Sequence, residues 1–321
     1  RVGVLATVGV ILSTFINGVG FYFLCNLFGL HVDFILCLIF GVVVSPTDPV
    51  AVLALLKRLT VPKKLEATIG GESLFNDGVA VVVYAILVTV AFGAVSGHGS
   101  ETPHTGMVMG LFVQEALGGA VLGMVCGYAA FLLMRHMDDY VIEVITTLAL
   151  VTGGYAIALQ LHVSGPIAMV IAGVFIGNTG RRLAMSEETR QHVTQFWHLI
   201  DEILNAALFV LIGFQIIILT YQSSVLLISI LCVPLAVGAR CLAVGAPLQV
   251  LRPLIGKQPG DIVILTWAGL RGGISVALAL SLPDIAEKSL ILTATYTVVV
   301  FSILIQGLTI ESVIRWVQRE K

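Results

Sequence analysis

Positions 45–49 of the chain read Ser-Pro-Thr-Asp-Pro and lie within a long apolar segment. A proline lacks an N–H and its ring clashes with the carbonyl four residues back, so Pro46 and Pro49 cannot both lie inside a regular helix. The carbonyls of Val42 and Ser45 should therefore lose their helical partners. Ser45 precedes a proline and should be extended. These positions predict a helix that unwinds within its length.

The surrounding sequence is typical of a membrane protein. Of the 321 residues, 58% are hydrophobic and 11% are charged, whereas soluble proteins carry about 25% charged residues. A membrane-spanning helix needs about 20 apolar residues, and we predict an all-α polytopic membrane protein with ten such helices. The predicted segments lie at about 2–30, 34–56, 65–92, 107–134, 140–161, 164–178, 196–219, 224–251, 262–282 and 289–314.

The loop charges predict an orientation. If all ten segments cross, nearly all loop lysines and arginines lie on the side of Arg1, which is then the cytoplasmic side. The sixth segment opens with Ser-Gly-Pro at 164–166 and could be a short span or a re-entrant piece. The alternation of loop charge favours a crossing. The predicted location is the cell membrane (bacterial inner or plasma membrane), crossed several times.

The predicted break carries ligands for a small cation. Irregular backbone within a membrane is tolerated only where protein buries it or where it lines a wet cavity. Freed carbonyls, Thr47 and Asp48 together offer hard oxygen atoms there. The alternative is a simple proline kink, which does not require an aspartate between the two prolines.

The third segment carries a polar stripe made of Glu72, Ser73, Asn76 and Asp77. At about 100° per residue these side chains fall within an arc of roughly 140°. The stripe cannot face lipid, since a charge inside the membrane costs at least about 2.5–3.5 kcal/mol. The alternative is a structural hydrogen-bond network between helices, although two carboxylates exceed what packing requires.

The ninth segment is also interrupted, because three glycines surround Arg271 and glycine weakens a helix. A buried arginine needs an anionic partner. Glu72 is expected, and the alternatives are Asp48 or helix carbonyls. The second and ninth segments are each the middle one of three at opposite ends of the chain. Paired interrupted segments in corresponding positions indicate a transporter with inverted repeats and a binding site at mid-membrane.

At these residues the chain resembles the sodium/proton exchanger family (cation:proton antiporter family 1, bacterial NhaP-like branch). The matching strings are Ser-Pro-Thr-Asp-Pro at 45–49, Gly-Glu-Ser-Leu-Phe-Asn-Asp-Gly at 71–78, Val-Ser-Gly-Pro at 163–166 with Gly-Asn at 177–178, and Gly-Leu-Arg-Gly-Gly at 269–273. The resemblance implies a thirteen-helix inverted-repeat antiporter fold with two crossing interrupted helices. The ten segments would be its last ten helices, with the first three apparently missing.

The resemblance also implies a mobile core domain and an interface domain that forms a homodimer. The first half of the core would be residues 1–92, with the interrupted helix 34–56. A linker helix and the interface domain would occupy 93–223. The second half of the core would be 224–321, with the interrupted helix 262–282.

For the site, the resemblance implies four residues that bind the monovalent cation: Asp77, Asp48, Ser73 and Thr47. Asp77 would bind the proton and the cation in turn. Three further residues would support the site: Asn76, Glu72 and Arg271. Asn76 would bridge to the region of Thr47, and Glu72 would form an ion pair with Arg271. No role is assigned to Glu115, Arg240, Asp201 and Glu202.

The implied activity is exchange of Na⁺ (or Li⁺) for H⁺ by alternating access, without a cofactor and without enzyme chemistry. The pair at 76–77 is Asn-Asp rather than Asp-Asp. In this respect the chain resembles the electroneutral exchangers, which move one proton per sodium ion. The expected partners are a monovalent cation, protons, membrane lipid and a second copy of the chain, and no nucleic acid. Three alternatives stay open: a K⁺/H⁺ antiporter, a cation channel, and an intramembrane aspartyl hydrolase that uses Asp48 and Asp77.

Overall fold

The computed structural model describes residues 2–49, 52–53, 63–92, 105–136, 139–180, 185–218, 223–250 and 260–319. The helices are α1 Val2–Leu27, α2 Phe34–Val43, α3 Lys63–Phe92, α4 Thr105–Arg135, α5 Tyr140–Gln160, α6 Gly165–Phe175, α7 Glu187–Ile218, α8 Ser223–Val250, α9 Asp261–Trp267, α10 Gly273–Leu280, α11 Lys288–Phe301 and α12 Gly307–Arg319. Short π-helical turns, Ile176–Gly180 and Ser302–Gln306, follow α6 and α11.

The helices confirm the predicted all-α membrane class. Within the described ranges, six helices are long and apolar enough to cross a membrane, among them α1, α5 and the run Lys288–Val317 through α11 and α12. α2 and α6 are shorter apolar helices. α7 differs from its predicted segment because it begins at Glu187 rather than near residue 196. The first turn of α7 carries Glu187 and Glu188 and so lies outside the apolar run from which the segment was predicted.

Both predicted interruptions are present. α2 ends at Val43, and the Ser45 N–H donates to the Val42 carbonyl at 3.1 Å, so this carbonyl gains a turn partner in place of the N–H that Pro46 lacks. The second break separates α9 from α10, and Gly272 enters α10 from an extended conformation. Local proline and glycine chemistry therefore places both breaks where the sequence predicts them.

The chain forms two compact units, residues 1–100 with 212–321 and residues 101–211. In the first unit, α1 packs against α2, α3 and α8, while α8 also packs against α9 and α11. In the second unit, α4, α5 and α6 pack against one another. The predicted core and interface roles of 1–92, 93–223 and 224–321 stay a prediction.

α1 and α2 approach closely around Gly41. Phe21 and Phe40 stack beside it with ring centroids 4.1 Å apart. A Cβ at Gly41 would collide with the Thr14 carbonyl oxygen and the Gly18 nitrogen. Because both obstacles are backbone atoms, neither can rotate away, and this helix contact depends on glycine.

We expect Gly41→Ala to lower the free energy of unfolding by about 1–3 kcal/mol, the usual cost of overpacking. The measurement is the thermal unfolding midpoint of the detergent-purified protein. Gly238→Ala on α8 is the matched control, since a Cβ there meets nothing within 4 Å and alanine favours the helix. Equal midpoints for the two variants would contradict the close contact.

Candidate cation-binding site

The two breaks meet inside the first unit. The Asp48 N–H donates to the Leu270 carbonyl at 2.7 Å, which forms an isolated antiparallel bridge between the unwound stretches. α2 ends at this crossing and α10 begins there. The C-terminal end of a helix favours cations and the N-terminal end favours anions. The end of α2, the start of α10 and backbone groups that lack helical partners therefore lie together at the crossing.

Arg271 ties the second break to the first. Its Nη1 donates to the carbonyls of Ser45 at 2.5 Å and Pro46 at 3.0 Å. The Ser45 carbonyl is the one that Pro49 deprives of a helical partner, so the arginine satisfies a group that the proline leaves unpaired. Arg271 as a whole is only 3% exposed. Backbone carbonyls of the unwound stretch after α2 are thus the hydrogen-bond partners of Arg271.

The predicted ion pair between Glu72 and Arg271 is wrong. Both oxygens of Glu72 accept from Arg240 on α8, from Nη1 at 2.8 Å and from Nη2 at 2.7 Å. This two-pronged geometry uses the planar fork of the guanidinium, while Arg271 donates to backbone carbonyls instead. The sequence assigned no role to Arg240. Its position within a 28-residue apolar helix was the available signal, since such a cation needs a buried partner.

Asn76 links α3 to the first break. Its Nδ2 donates to Thr47 Oγ1 at 2.7 Å and to Glu72 Oε1 at 3.1 Å. Its Oδ1 accepts from the Thr47 N–H at 3.5 Å. Ser73 Oγ lies 3.1 Å from Thr47 Oγ1. Two hydroxyl oxygens, both buried, are therefore held side by side at the crossing.

Asp77 and Asp48 are two further carboxylates at this site beside Glu72. Both are partly buried, and the Asp77 carboxylate lies within electrostatic range of Asp48 and Glu72. A Cβ at Gly272 would collide with the carboxylate of Asp48, so the glycine makes room for this side chain. Two acidic groups in one low-dielectric region favour the uptake of a cation or a proton.

Ser302 and Gln306 are functional candidates that the sequence did not indicate. Ser302 Oγ accepts from the backbone N–H of Arg271 at 2.8 Å and donates to Gln306 Oε1 at 2.6 Å. Both residues belong to the π-helical turn after α11, and such turns are frequent at functional sites. A serine and a glutamine four positions apart in an apolar segment were the only available signal.

We expect Ser302→Ala to lower the free energy of unfolding by about 1–3 kcal/mol, because the buried Arg271 N–H loses its acceptor. Ion exchange should slow as the second break loosens. The measurements are the unfolding midpoint and the initial exchange rate. Ser229→Ala on α8 is the control, since Ser229 is equally buried and donates only within its own helix. Identical behaviour of the two variants would contradict the anchoring role.

The other acidic residues raised from the sequence lie in the second unit. Glu115 is partly buried in α4, and its carbonyl accepts from the Ser164 N–H at 3.2 Å. Asp201 and Glu202 are exposed on α7. Among the described residues, no group of three or more His, Cys, Asp or Glu side chains is arranged to hold a metal ion.

Two helices that break and cross beside buried carboxylates define a membrane transporter of the inverted-repeat type. The profile of the family described as "Sodium/hydrogen exchanger, transmembrane" matches residues 1–316. The chain belongs to this family, which confirms the resemblance seen in the motifs. It is a multi-pass membrane protein of a transporter family and not an enzyme.

Curated relatives and a solved structure agree with this assignment. The chain is 51% identical over 318 residues to the Na(+)/H(+) antiporter NhaP of Pseudomonas aeruginosa. This alignment covers 98% of this chain and 74% of that protein. It is 39% identical to the Na(+)/H(+) antiporter NhaH of Halobacillus dabanensis, with 97% and 74% covered. The sodium proton antiporter MjNhaP1 of Methanocaldococcus jannaschii has a similar fold, with a TM-score of 0.79 at 19% identity over 98% of this chain and 78% of that one.

Proposed function

We propose that the chain exchanges Na⁺ for H⁺ across a membrane and that Asp77 binds the two ions in turn. The observation that supports the proposal most is that the hydroxyls of Thr47 and Ser73 lie 3.1 Å apart at two crossed helix breaks, with Asp77 and Asp48 within electrostatic range of each other. The named antiporters among the relatives support the choice of ions.

The proposed cation site uses oxygen atoms only. Asp77 and Asp48 supply charge, while Thr47 and Ser73 supply hydroxyl oxygens that replace part of the water shell of the ion. Their mutual hydrogen bond of 3.1 Å can open toward a cation without moving the backbone. Carboxylate and hydroxyl oxygens suit hard cations. Li⁺ is a second candidate cargo on the same grounds.

The supporting residues hold this geometry. Asn76 fixes Thr47, Glu72 is neutralised by Arg240, and Arg271 binds the first break. A carboxylate withdrawn from water holds a proton more tightly, and a bound cation displaces that proton. Asp77 then carries either one proton or one Na⁺. The transported site bears the same charge in both directions, and exchange is electroneutral.

The remaining elements of the proposal concern the whole transporter. The core predicted at 1–92 and 224–321 would move against the domain predicted at 93–223 and expose the site to each side in turn. That second domain would form a homodimer. The chemistry needs no cofactor, because binding and release of two cations is the whole reaction.

The test is Na⁺-driven collapse of a pH gradient in proteoliposomes that contain the full-length protein. We expect collapse with Na⁺, and rates that do not change when a K⁺ diffusion potential is imposed with valinomycin. Collapse with K⁺ in place of Na⁺ would favour the K⁺/H⁺ alternative. Passive ²²Na⁺ uptake without proton movement would contradict antiport and favour a channel, while a rate that follows the imposed potential would contradict one-to-one exchange.

A further inference from the structure

α1 carries a buried polar stripe of three residues, Ser13, Thr14 and Asn17, in an otherwise apolar helix. Asn17 Nδ2 donates to the carbonyl oxygen of Ser13 at 2.9 Å and to its hydroxyl at 3.2 Å, so it bonds within its own helix. Thr14 differs, because its Oγ1 lies 3.3 Å from Ser45 Oγ in the unwound stretch after α2. Thr14 therefore links α1 to the first helix break.

The hydrogen bond between these two hydroxyls has a defined direction. A hydroxyl has one hydrogen to donate and two lone pairs that accept. Ser45 Oγ donates its hydrogen to the Gly41 carbonyl at 2.7 Å. In its contact with Thr14 the Ser45 hydroxyl can therefore only accept, and Thr14 Oγ1 is the donor. This donation holds the Ser45 side chain in the rotamer that reaches Gly41.

Ser45 determines how α2 ends. In a regular helix the Ser45 N–H would bind the Gly41 carbonyl, but here it binds the Val42 carbonyl at 3.1 Å. The Ser45 hydroxyl binds the Gly41 carbonyl in its place, so that the helix ends without leaving this buried acceptor unpaired. The Ser45 carbonyl in turn accepts from Arg271. One residue thus fixes the end of α2 through its side chain, its N–H and its carbonyl.

The end of α2 sets the position of Thr47 in the cation site. Only Pro46 separates Ser45 from Thr47, and the proline ring fixes one of the backbone angles between them. A change in the Ser45 backbone is therefore passed on to Thr47. The Thr47 N–H donates to Asn76 Oδ1 at 3.5 Å, and Thr47 Oγ1 lies 3.1 Å from Ser73 Oγ. Ser45 is thus one short step away from the hydroxyl pair of the site.

α1 and α2 are close enough at this point for a side chain as short as threonine to reach Ser45. A Cβ at Gly41 would collide with the Thr14 carbonyl oxygen, so the two backbones are in contact. Thr14 and Ser45 are only 6% and 2% exposed, and bulk water does not compete for their hydroxyls. A valine at position 14 would keep the shape of threonine and leave Ser45 Oγ without its donor.

We propose that Thr14 is a positioning residue of the cation site, which sets the affinity for Na⁺ through Ser45 and does not touch the ion. The inference rests on the proposed function, since it concerns the cation that is exchanged. Loss of the Thr14 hydroxyl frees the Ser45 side chain and loosens the first break, so that Thr47 Oγ1 is less well placed for the ion. The carboxylate of Asp77 is unchanged, so the maximal rate is kept.

The test is the Na⁺ dependence of exchange in proteoliposomes that contain the full-length protein. We expect Thr14→Val to raise the Na⁺ concentration for the half-maximal rate about fivefold, the factor that corresponds to one hydrogen bond of ordinary strength. The maximal rate should stay near that of the unchanged protein. Thr14→Ser keeps the hydroxyl and should restore the original Na⁺ dependence. Thr293→Val on α11 is the control, since Thr293 is also buried and its hydroxyl donates within its own helix, to the Ser289 carbonyl at 2.7 Å.

Ser45→Ala measures the same link from the other side, and it serves where Thr14→Val gives too little folded protein. It should also raise the half-maximal Na⁺ concentration. Adding Thr14→Val to Ser45→Ala should have no further effect, because the acceptor of the Thr14 hydroxyl is already gone.

Four outcomes would overturn the role of Thr14. They are an unchanged Na⁺ dependence in folded Thr14→Val or Ser45→Ala, an equal rise in Thr293→Val, additive effects in the double variant, and a failure of Thr14→Ser to restore the affinity. A lower unfolding midpoint of Thr14→Val with the original Na⁺ dependence belongs to the first of these, because it shows a structural role only. No Na⁺-driven exchange in the unchanged protein would contradict the proposed function itself, and this inference with it.

Discussion

Asp77→Asn is expected to reduce Na⁺-driven collapse of the pH gradient to the level of liposomes without protein. The amide cannot release a proton and carries no charge to hold a cation. Proton binding and Na⁺ binding therefore both lose the carboxylate on which they depend. The substitution keeps the size of the side chain, and the buried network of Asn76, Thr47 and Glu72 does not include Asp77. The folded yield and unfolding midpoint should therefore stay close to those of the unchanged protein.

A matched control lies on the same helix. Glu66 is in the first turn of α3 and partly buried, and Glu66→Gln makes the same change from carboxylate to amide away from the crossing. It should leave the exchange rate near that of the unchanged protein. If Asp77→Asn transported Na⁺ at that rate too, another group would have to carry the ions.

Glu72→Gln is expected to cost about 3–5 kcal/mol of folding free energy, because it leaves the buried guanidinium of Arg240 without its anion. The two-pronged contact at 2.7 and 2.8 Å joins α3 to α8, so its loss should also loosen these two helices. The measurement is unfolding by titration with SDS, followed by the circular dichroism of the purified protein.

Double-mutant cycles decide which arginine is the partner of Glu72. The cycle of Glu72→Gln with Arg240→Gln should give a coupling energy of up to about 3 kcal/mol. The cycle of Glu72→Gln with Arg271→Gln should give a clearly smaller value, because Arg271 binds carbonyls of the first break. A larger coupling with Arg271 would contradict the observed pairing.

The helix breaks could be predicted from sequence because their causes are local. Pro46 and Pro49 remove two N–H groups from one helix, and this consequence does not depend on the rest of the chain. The polar stripe of α3 follows from helix periodicity alone. That Thr47, Ser73 and Asn76 belong to one site was implied by the resemblance to the family and not by periodicity.

The ion pair could not be predicted, because the choice between two buried arginines depends on tertiary packing. Arg240 is 168 positions away from Glu72 in the chain, and no pattern in the sequence distinguishes it from Arg271 as a partner. Ser302 was missed for a related reason. Its acceptor role depends on where the π-helical turn presents its hydroxyl to the Arg271 N–H, and a lone serine in an apolar helix more often bonds within its own helix.

Proton release on Na⁺ binding tests the central claim most directly, since the claim is that one carboxylate holds either ion. Na⁺ would be added to the weakly buffered, detergent-purified protein while a pH dye records protons and calorimetry records binding. The account predicts up to one proton released for each Na⁺ bound, and neither binding nor release in Asp77→Asn. Na⁺ binding without proton release in the unchanged protein, or equal release in Asp77→Asn, would contradict it.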